Sequence, residues 1–194
     1  MQHPDTELKF VNSQVGYGVF ATAFIPLGTI VYARCELDIA ILPTSPLVSD
    51  PAYRELIRKY AYTDPNGDFV ICWDIGKYVN HCCHASALST GYGFDIAVRD
   101  LQPGDEITND YAQFSFDEEM DLLCHYPDCR KKFTPQDFDR LYPYWDEQVK
   151  AALQYFLQVP QPLQKYLNPQ TELELQRYLR AGEGYRSVRN LRPW

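Results

Sequence analysis

Residues 104–111 read Gly-Asp-Glu-Ile-Thr-Asn-Asp-Tyr, residues 78–83 read Tyr-Val-Asn-His-Cys-Cys, and residues 15–21 read Val-Gly-Tyr-Gly-Val-Phe-Ala. Each segment alone is only weakly informative. A Gly-x-Gly pair is common in bulges and tight turns because glycine tolerates positive φ angles. An Asn-His-Cys-Cys segment suits a buried polar corner, and Asp-Tyr after a turn is an ordinary strand end. Their order and spacing in one chain carry more information than any one of them.

The chain around these segments is rich in strand signals up to about residue 133. Short apolar or aromatic runs alternate with turn residues, and the turns at 25–29 and 101–105 each place Gly two residues after Pro or directly after it. One inserted helix is predicted after Asp50, with Pro51 in its first turn and an end before Asp64. The predicted strands are residues 9–12, 18–24, 29–33, 69–73, 94–99 and 106–108.

Beyond residue 133 the pattern becomes helical. One apolar stripe recurs every three or four residues and stops before Pro160; its members are Trp145, Val149, Leu153 and Phe156. A second helix is bracketed by Asn168 as N-cap, Pro169 in the first turn and Gly182 as the C-terminal stop. The apolar stripes indicate packing against the strand-rich part rather than a binding function.

Together, the three segments resemble the motifs of the SET-domain protein lysine methyltransferases. The likeness covers residues 8–133 and extends to residues 23–28, 96–104 and 124–130. It implies a β-rich α+β protein with the SET-domain fold of small β-sheets, in which a threaded, pseudoknot-like segment ending at Tyr111 passes beside residues 80–81. We therefore divide the chain into a SET domain with a post-SET-like segment at 8–133 and a C-terminal helical extension at 134–194, about which the resemblance says little.

The resemblance also implies S-adenosylmethionine as cofactor and a lysine side chain of a protein as substrate. The backbone of Gly16, Tyr17 and Gly18 would hold the methionine part of the cofactor, and Asn80 and His81 its amino and adenine ends. Glycines let a backbone approach a zwitterion closely. Tyr111 would be the active-site tyrosine, and its reference pKa near 10 makes it a positioner of the amine rather than a base. Aromatic side chains would supply the walls of a lysine channel.

Three positions depart from the family pattern, and the first is Cys82, which stands where Ser is more usual. Asn109 stands where many members have Tyr or Phe, so the usual guide to mono- versus trimethylation does not apply. In the post-SET region the resemblance implies zinc held by Cys83, Cys124 and Cys129, but Leu122 replaces the remaining cysteine. A tetrahedral site then lacks one ligand. The candidates for that ligand are His84, His125, Cys82, Asp128 and water, and the alternative is three reduced cysteines without metal. Cys35 and Cys72 are interpreted as core residues.

The composition narrows the class of protein. Among 194 residues, 45% are hydrophobic and 23% charged, which excludes disordered and fibrous classes. The start of the chain lacks the features of a signal peptide and no apolar run is long enough for a membrane span. We therefore expect an intracellular protein, cytoplasmic or nuclear, whose six cysteines are thiols or metal ligands.

The net charge of −8 is carried by residues 1–133, which hold ten Lys and Arg against nineteen Asp and Glu. Such a surface repels nucleic acids, so no direct nucleic acid binding is expected, and it favours a basic, histone-like or similar segment of a protein substrate. The alternative is that the charge only maintains solubility. Two rival functions also stay open: a catalytically silent SET-fold module that binds peptides or serves as a scaffold, and a zinc-stabilised structural protein. Cofactor binding distinguishes the classes.

Overall fold

The computed structural model describes residues 1–114, 119–124 and 126–193. Its helices are α1 (Pro46–Ser49), α2 (Pro51–Tyr60), α3 (Pro135–Leu153) and α4 (Pro169–Ala181). The strands are β1 (Thr6–Asn12), β2 (Gly16–Ala21), β3 (Ile30–Ala33), β4 (Ile39–Ile41), β5 (Ala61–Thr63), β6 (Phe69–Ile71), β7 (Asn80–His81), β8 (Ala87–Ser89), β9 (Phe94–Ala97), β10 (Glu106–Asn109), β11 (Met120–Asp121) and β12 (Lys132–Phe133).

The strands form four small sheets, and one of them determines the positions of the motifs. Its order is β1-β2-β10-β7. Strand β10 pairs antiparallel with β2, where Ile107 faces Val19, and parallel with β7, where Thr108 faces Asn80. The threaded arrangement implied by the resemblance is confirmed, because β10 lies between two strands that are distant from it in the sequence.

The inner strands are held by a small apolar cluster. Val19 of β2 and Ile107 of β10 are completely or almost completely buried and pack with Ala97 and Leu101. The polar and glycine residues of the same strands are therefore left for the opposite face, because side chains alternate along a strand.

The other sheets are β3-β9-β8, β4-β6-β5 and the pair β11-β12. Helix α2 begins where predicted. The Asp50 side chain accepts a hydrogen bond from the backbone N–H of Ala52, and Pro51 has no N–H that would need a partner in the first turn. Helix α4 likewise begins after Asn168 and ends at Gly182, whose φ of 71° is left-handed. The short helix α1 was not predicted.

The C-terminal helices pack on the sheet β3-β9-β8 through one large hydrophobic cluster. Trp145, Val149 and Phe156 are buried in it against Phe94 and Ile96 of β9. The predicted packing of the tail on the strand-rich part is therefore confirmed, and it makes α3 part of the same core as the sheet. The division at residues 133 and 134 stays a prediction. No helix among the described residues has the length and apolarity needed to cross a membrane.

The two cysteines assigned to the core differ. Cys72 is buried, as predicted, whereas Cys35 is only half-buried. The core assignment of Cys35 was wrong because the chain turns there: the backbone N–H of Cys35 donates to the carboxylate of Asp38 at 3.0 Å, which ends β3 and brings the side chain to the edge of the core.

Candidate functional site

The glycine segment lies against the side chain of Asn80. The amide nitrogen of Asn80 donates to the carbonyl oxygen of Tyr17 at 3.0 Å and to Oε1 of Glu106 at 2.8 Å. Both N–H donors of this side chain are thus used within the protein, which joins β2, β7 and β10 at one point. The amide oxygen of Asn80 is the acceptor that is left for a ligand.

Gly18 occupies a position where no side chain fits. A Cβ atom built there would lie 2.9 Å from Nδ2 of Asn80, 3.1 Å from Val11 and closer still to the carboxylate of Glu106. Gly16 is different, because nothing lies near its Cβ position. Glycine is favoured there by the backbone φ of 85°, which other residues rarely adopt. We call the backbone of residues 16–18 the glycine strip: it has open space at Gly16, whereas at Gly18 it packs directly against Asn80 and Glu106.

The ring of His81 is buried and has partners on both nitrogens. Nδ1 accepts from the backbone N–H of Tyr111 at 3.2 Å, and Nε2 lies 3.3 Å from Sγ of Cys83. Burial and the nearby Arg130 lower the pKa of His81 to about 4, so the imidazole is neutral. With Nδ1 accepting, the proton lies on Nε2 and points to the sulfur. The ring therefore connects the predicted metal cluster to Tyr111, and only the backbone of His81 is left for a cofactor.

Tyr111 follows β10 at the start of a short 3₁₀ helix. Its hydroxyl donates to the carbonyl oxygen of Val79 at 2.9 Å, and its ring lies 5.4 Å from that of His81. Burial and the charge of Glu106 raise the pKa of Tyr111 to about 12. The hydroxyl therefore keeps its proton at neutral pH and is held in one place.

Asp110, the residue before Tyr111, ties the post-SET-like segment to this site. Its buried carboxylate accepts a short hydrogen bond from the guanidinium of Arg130 and a bond of 3.2 Å from Nε1 of Trp145 in α3. It also caps the 3₁₀ helix through the N–H of Ala112. Burial raises the pKa of Asp110, so its charge depends on these donors.

A cavity of about 710 Å³ opens beside Tyr111. Its walls include six further aromatic side chains: Tyr32, Tyr60, Tyr62, Phe69, Phe114 and Phe133. Asn109, which replaces the aromatic residue usual in the family, lines the same cavity and is 4% exposed. Val79 and Tyr111 line the cavity, whereas Gly16, Gly18 and Asn80 do not.

The predicted metal ligands lie together. The sulfur atoms of Cys83, Cys124 and Cys129 are all within 4.8 Å of one another, and those of Cys83 and Cys129 are 3.7 Å apart. The backbone N–H of Lys131 donates to Sγ of Cys129 at 3.3 Å. A tetrahedral zinc with Zn–S bonds of about 2.3 Å separates its sulfurs by about 3.8 Å. The three thiols therefore have the spacing of zinc ligands.

The fourth zinc ligand is not evident from the geometry of the cluster. Among the described residues, no further Cys, His, Asp or Glu donor atom lies within 4.8 Å of all three sulfurs. Cys82 lies 3.8 Å from Cys124 but does not lie within 4.8 Å of all three sulfurs. The ring of His84 is held by Asp128 at 2.8 Å. Leu122 is buried in the core, and His125 lies outside the described residues.

The fold thus brings together, in one sheet and its flanks, the residues predicted for the site: Gly16, Tyr17, Gly18, Asn80, His81 and Tyr111. Three contributors were missed: Glu106, Asp110 and Arg130. Glu106 and Asp110 stand inside the motif at residues 104–111, but their roles become clear only from their hydrogen-bond partners in the structure. Arg130 directly follows Cys129, and no pattern in the sequence distinguishes it from a surface residue.

The chain matches one known protein family over the part that carries the motifs. The SET-domain family model matches residues 16–112, half of the chain. No curated protein sequence matches it significantly.

Among solved structures, a candidate histone methyltransferase of Plasmodium falciparum is 20% identical with a TM-score of 0.40, and the match covers 56% of this chain and 94% of that one. KRYPTONITE, solved with DNA, an H3(1–15) peptide and SAH, is 16% identical with a TM-score of 0.45, and the match covers 66% of this chain and 29% of that one.

Proposed function

Because this chain belongs to the SET-domain family, we propose that it is a protein-lysine methyltransferase that uses S-adenosylmethionine as methyl donor. One observation supports this proposal most directly. Threading of β10 between β2 and β7 places the glycine strip, Asn80 and Tyr111 together, next to a cavity with aromatic walls. A module without chemistry has no physical need for all of these features at one point.

The residues fit the proposed cofactor. The backbone at Gly16 has open space around it, and Gly18 lets the strip pack closely against Asn80 and Glu106. The amide oxygen of Asn80 is available to accept a hydrogen bond from an ammonium group. When bound, S-adenosylmethionine supplies a methyl group on a positive sulfonium. Glu106, hydrogen-bonded to Asn80, adds a negative charge beside the strip, which favours a cationic ligand.

Tyr111 orients the reacting groups and does not remove the proton. Its pKa of about 12 leaves the hydroxyl protonated at neutral pH, and its bond to Val79 fixes the direction of the oxygen. An amine of free lysine has a pKa near 10.4 and must lose its proton before transfer. Tyr111 holds the resulting neutral amine in line for transfer.

For the substrate, we propose a lysine-containing segment of a protein. The basic, histone-like segment expected from the net charge has weaker support, because five cationic side chains line the cavity: Arg34, Arg54, Arg58, Lys59 and Lys77. The H3 peptide and the DNA belong to the KRYPTONITE structure. For this chain we keep the proposals of an intracellular location and no direct nucleic acid binding.

Calorimetry and a transfer assay test the proposed function. We expect calorimetry to detect binding heat on adding S-adenosylmethionine or its demethylated product. We also expect transfer of labelled methyl groups to lysine-containing peptides, tested in matched pairs that differ only in having Arg or Glu beside the lysine. Absence of binding up to millimolar ligand contradicts the enzyme and favours the silent module. Binding without transfer to any peptide or protein extract contradicts the transferase but keeps the cofactor site.

Gly18→Ala is expected to weaken cofactor binding about tenfold, or about 1.4 kcal/mol, because the new Cβ displaces Asn80 and Glu106 from the strip. Calorimetry measures the affinity directly. Gly67→Ala is the control: it introduces a Cβ at a turn with open space around it, so any loss of stability there comes from its φ of 85° and leaves affinity unchanged. A Gly18→Ala variant that binds like wild type contradicts the role of the strip.

We also propose one zinc ion per chain, held by Cys83, Cys124 and Cys129 with a fourth ligand from a nearby side chain or water. The ion would be structural, since binding a metal orders the segment that carries its ligands. His81 would fix the orientation of one of the thiolates.

Removal of the ion is expected to lower the melting temperature and weaken cofactor binding together, because Arg130 follows Cys129 directly and reaches Asp110 beside Tyr111. Elemental analysis of protein purified without chelators measures the zinc. Cys124→Ser is the test variant, and Cys35→Ser, outside the cluster, is the control. Zinc well below one equivalent in the wild type, or full zinc in the Cys124 variant, contradicts the site.

A further inference from the structure

Asp95 lies on β9 between two core residues and faces the cavity instead of the core. Phe94 and Ile96 are buried in the large hydrophobic cluster, so strand alternation turns Asp95 to the opposite side. The residue lies deep in the fold and lines the cavity, where it keeps some accessible surface. A carboxyl group is therefore reachable from inside the cavity.

Two neighbours hold this carboxyl group. The hydroxyl of Ser89 donates a short hydrogen bond to Oδ1, and Nδ2 of Asn109 donates to Oδ2 at 2.7 Å. Ser89 and Asn109 also line the cavity and are 5% and 4% exposed. We call Asp95, Ser89 and Asn109 the polar floor of the cavity. Both donors stabilise the ionised form of the carboxyl group and leave acceptor positions on its oxygens unused.

No Lys or Arg forms an ion pair with this carboxylate within the described part of the chain. The carboxylate of Asp64, by contrast, is paired with Arg34 at 2.7 Å. The other cationic residues of the cavity wall include Arg54 and Lys59, which stand on α2 and are exposed. Burial raises the pKa of Asp95, and the two hydrogen bonds oppose that shift only in part. A cationic ligand in the cavity would stabilise the carboxylate further.

We propose that the polar floor is a receptor for an organic ammonium ion, with Asp95 as the group that binds the charge and Asn109 as the residue that positions it. The surrounding aromatic rings contact the aliphatic chain of the ligand and attract its cationic end. The inference rests on the proposed function in naming lysine as the natural ligand. It assigns a role to Asn109 that the aromatic residue usual at this position does not have.

The receptor is tested with small probes and without cofactor. NMR titration of the full-length protein with n-butylammonium and with n-butanol compares a charged and a neutral ligand of the same length. We expect n-butylammonium to bind at least about tenfold more tightly than n-butanol. This comparison needs no variant, so it does not depend on whether a substituted protein folds. Equal affinity for the two probes overturns the proposal.

Asp95→Asn removes the charge and keeps the shape of the side chain. We expect it to weaken n-butylammonium binding about tenfold and to leave n-butanol binding unchanged. The matched control is Glu55→Gln, which removes a charge from the exposed wall of the same cavity and should change affinity less than about twofold. A folded Asp95→Asn variant that binds n-butylammonium like wild type overturns the proposal, as does an equal loss in the Glu55 variant.

The results separate this inference from the proposed function. A protein that binds n-butylammonium through Asp95 but transfers no methyl group contradicts only the proposed function. A protein that transfers methyl groups but shows no charge preference in its cavity contradicts only the receptor.

Discussion

Replacing Tyr111 by Phe is expected to lower the rate of methyl transfer about a hundredfold, or about 2.7 kcal/mol in the barrier, while the affinity for S-adenosylmethionine stays near wild type. The hydroxyl is lost, and with it the donor that Val79 accepts from. The ring and its contact with His81 remain. Orientation of the amine is therefore removed without closing the cavity or the glycine strip.

Initial rates with a peptide substrate and calorimetry with the cofactor measure the two quantities separately. Tyr144→Phe is the matched control, because Tyr144 lies on α3 with 54% of its surface exposed and its hydroxyl accepts a bond from Gln148. Its rate should equal that of the wild type. A Tyr111→Phe variant with unchanged turnover would remove Tyr111 from the reaction, whereas a parallel loss of cofactor affinity would show a structural role.

Arg130→Leu is expected to lower the free energy of unfolding by about 3 kcal/mol. The substitution leaves the buried carboxylate of Asp110 without its cation, while the bond from Trp145 is too little to replace it. Because burial raises the pKa of Asp110, this group will take up a proton more readily when the guanidinium is gone. The loss should therefore be smaller at acidic pH than at neutral pH.

Urea denaturation followed by circular dichroism, with the metal content held constant, gives the free energy. The control is Arg177→Leu, which breaks an ion pair with Glu183 whose two side chains are 68% and 67% exposed. That change should cost less than about 1 kcal/mol. Equal losses in both variants would show that the Arg130 pair contributes no more than a surface pair.

Much of the fold could be predicted because its signals are local. Caps at Asp50 and Asn168 and the stop at Gly182 mark helix ends through short-range hydrogen bonds and backbone angles. The short strands were harder. Strand β7 has only two residues, and it is extended because β10 pairs with it, which no periodicity in the sequence reveals. Helix α3 begins at Pro135 and contains Pro143, so its first turns carry no simple pattern.

Site residues could be predicted where they stand in a recognisable motif. They could not be predicted where their role depends on a neighbour that only the structure shows. Asp95 lies in an apolar run interpreted as a strand, and its importance comes from the cavity that it faces. The net charge was a poor guide to the cavity, because −8 is a property of the whole chain while cationic residues gather on α2. Leu122 marks the missing zinc ligand in the sequence, but only the structure shows it packed in the core.

The position of β10 also bears on how the protein is made. Residue 106 pairs with residue 20, so the sheet that holds Asn80 and the glycines is completed only after β10 has left the ribosome. Until then the hairpin of β1 and β2 has an open edge that invites pairing with other chains. Pairings this distant slow folding. Competence to bind a ligand should consequently arise late and in a single step, and a chain ending before residue 106 should retain none of it.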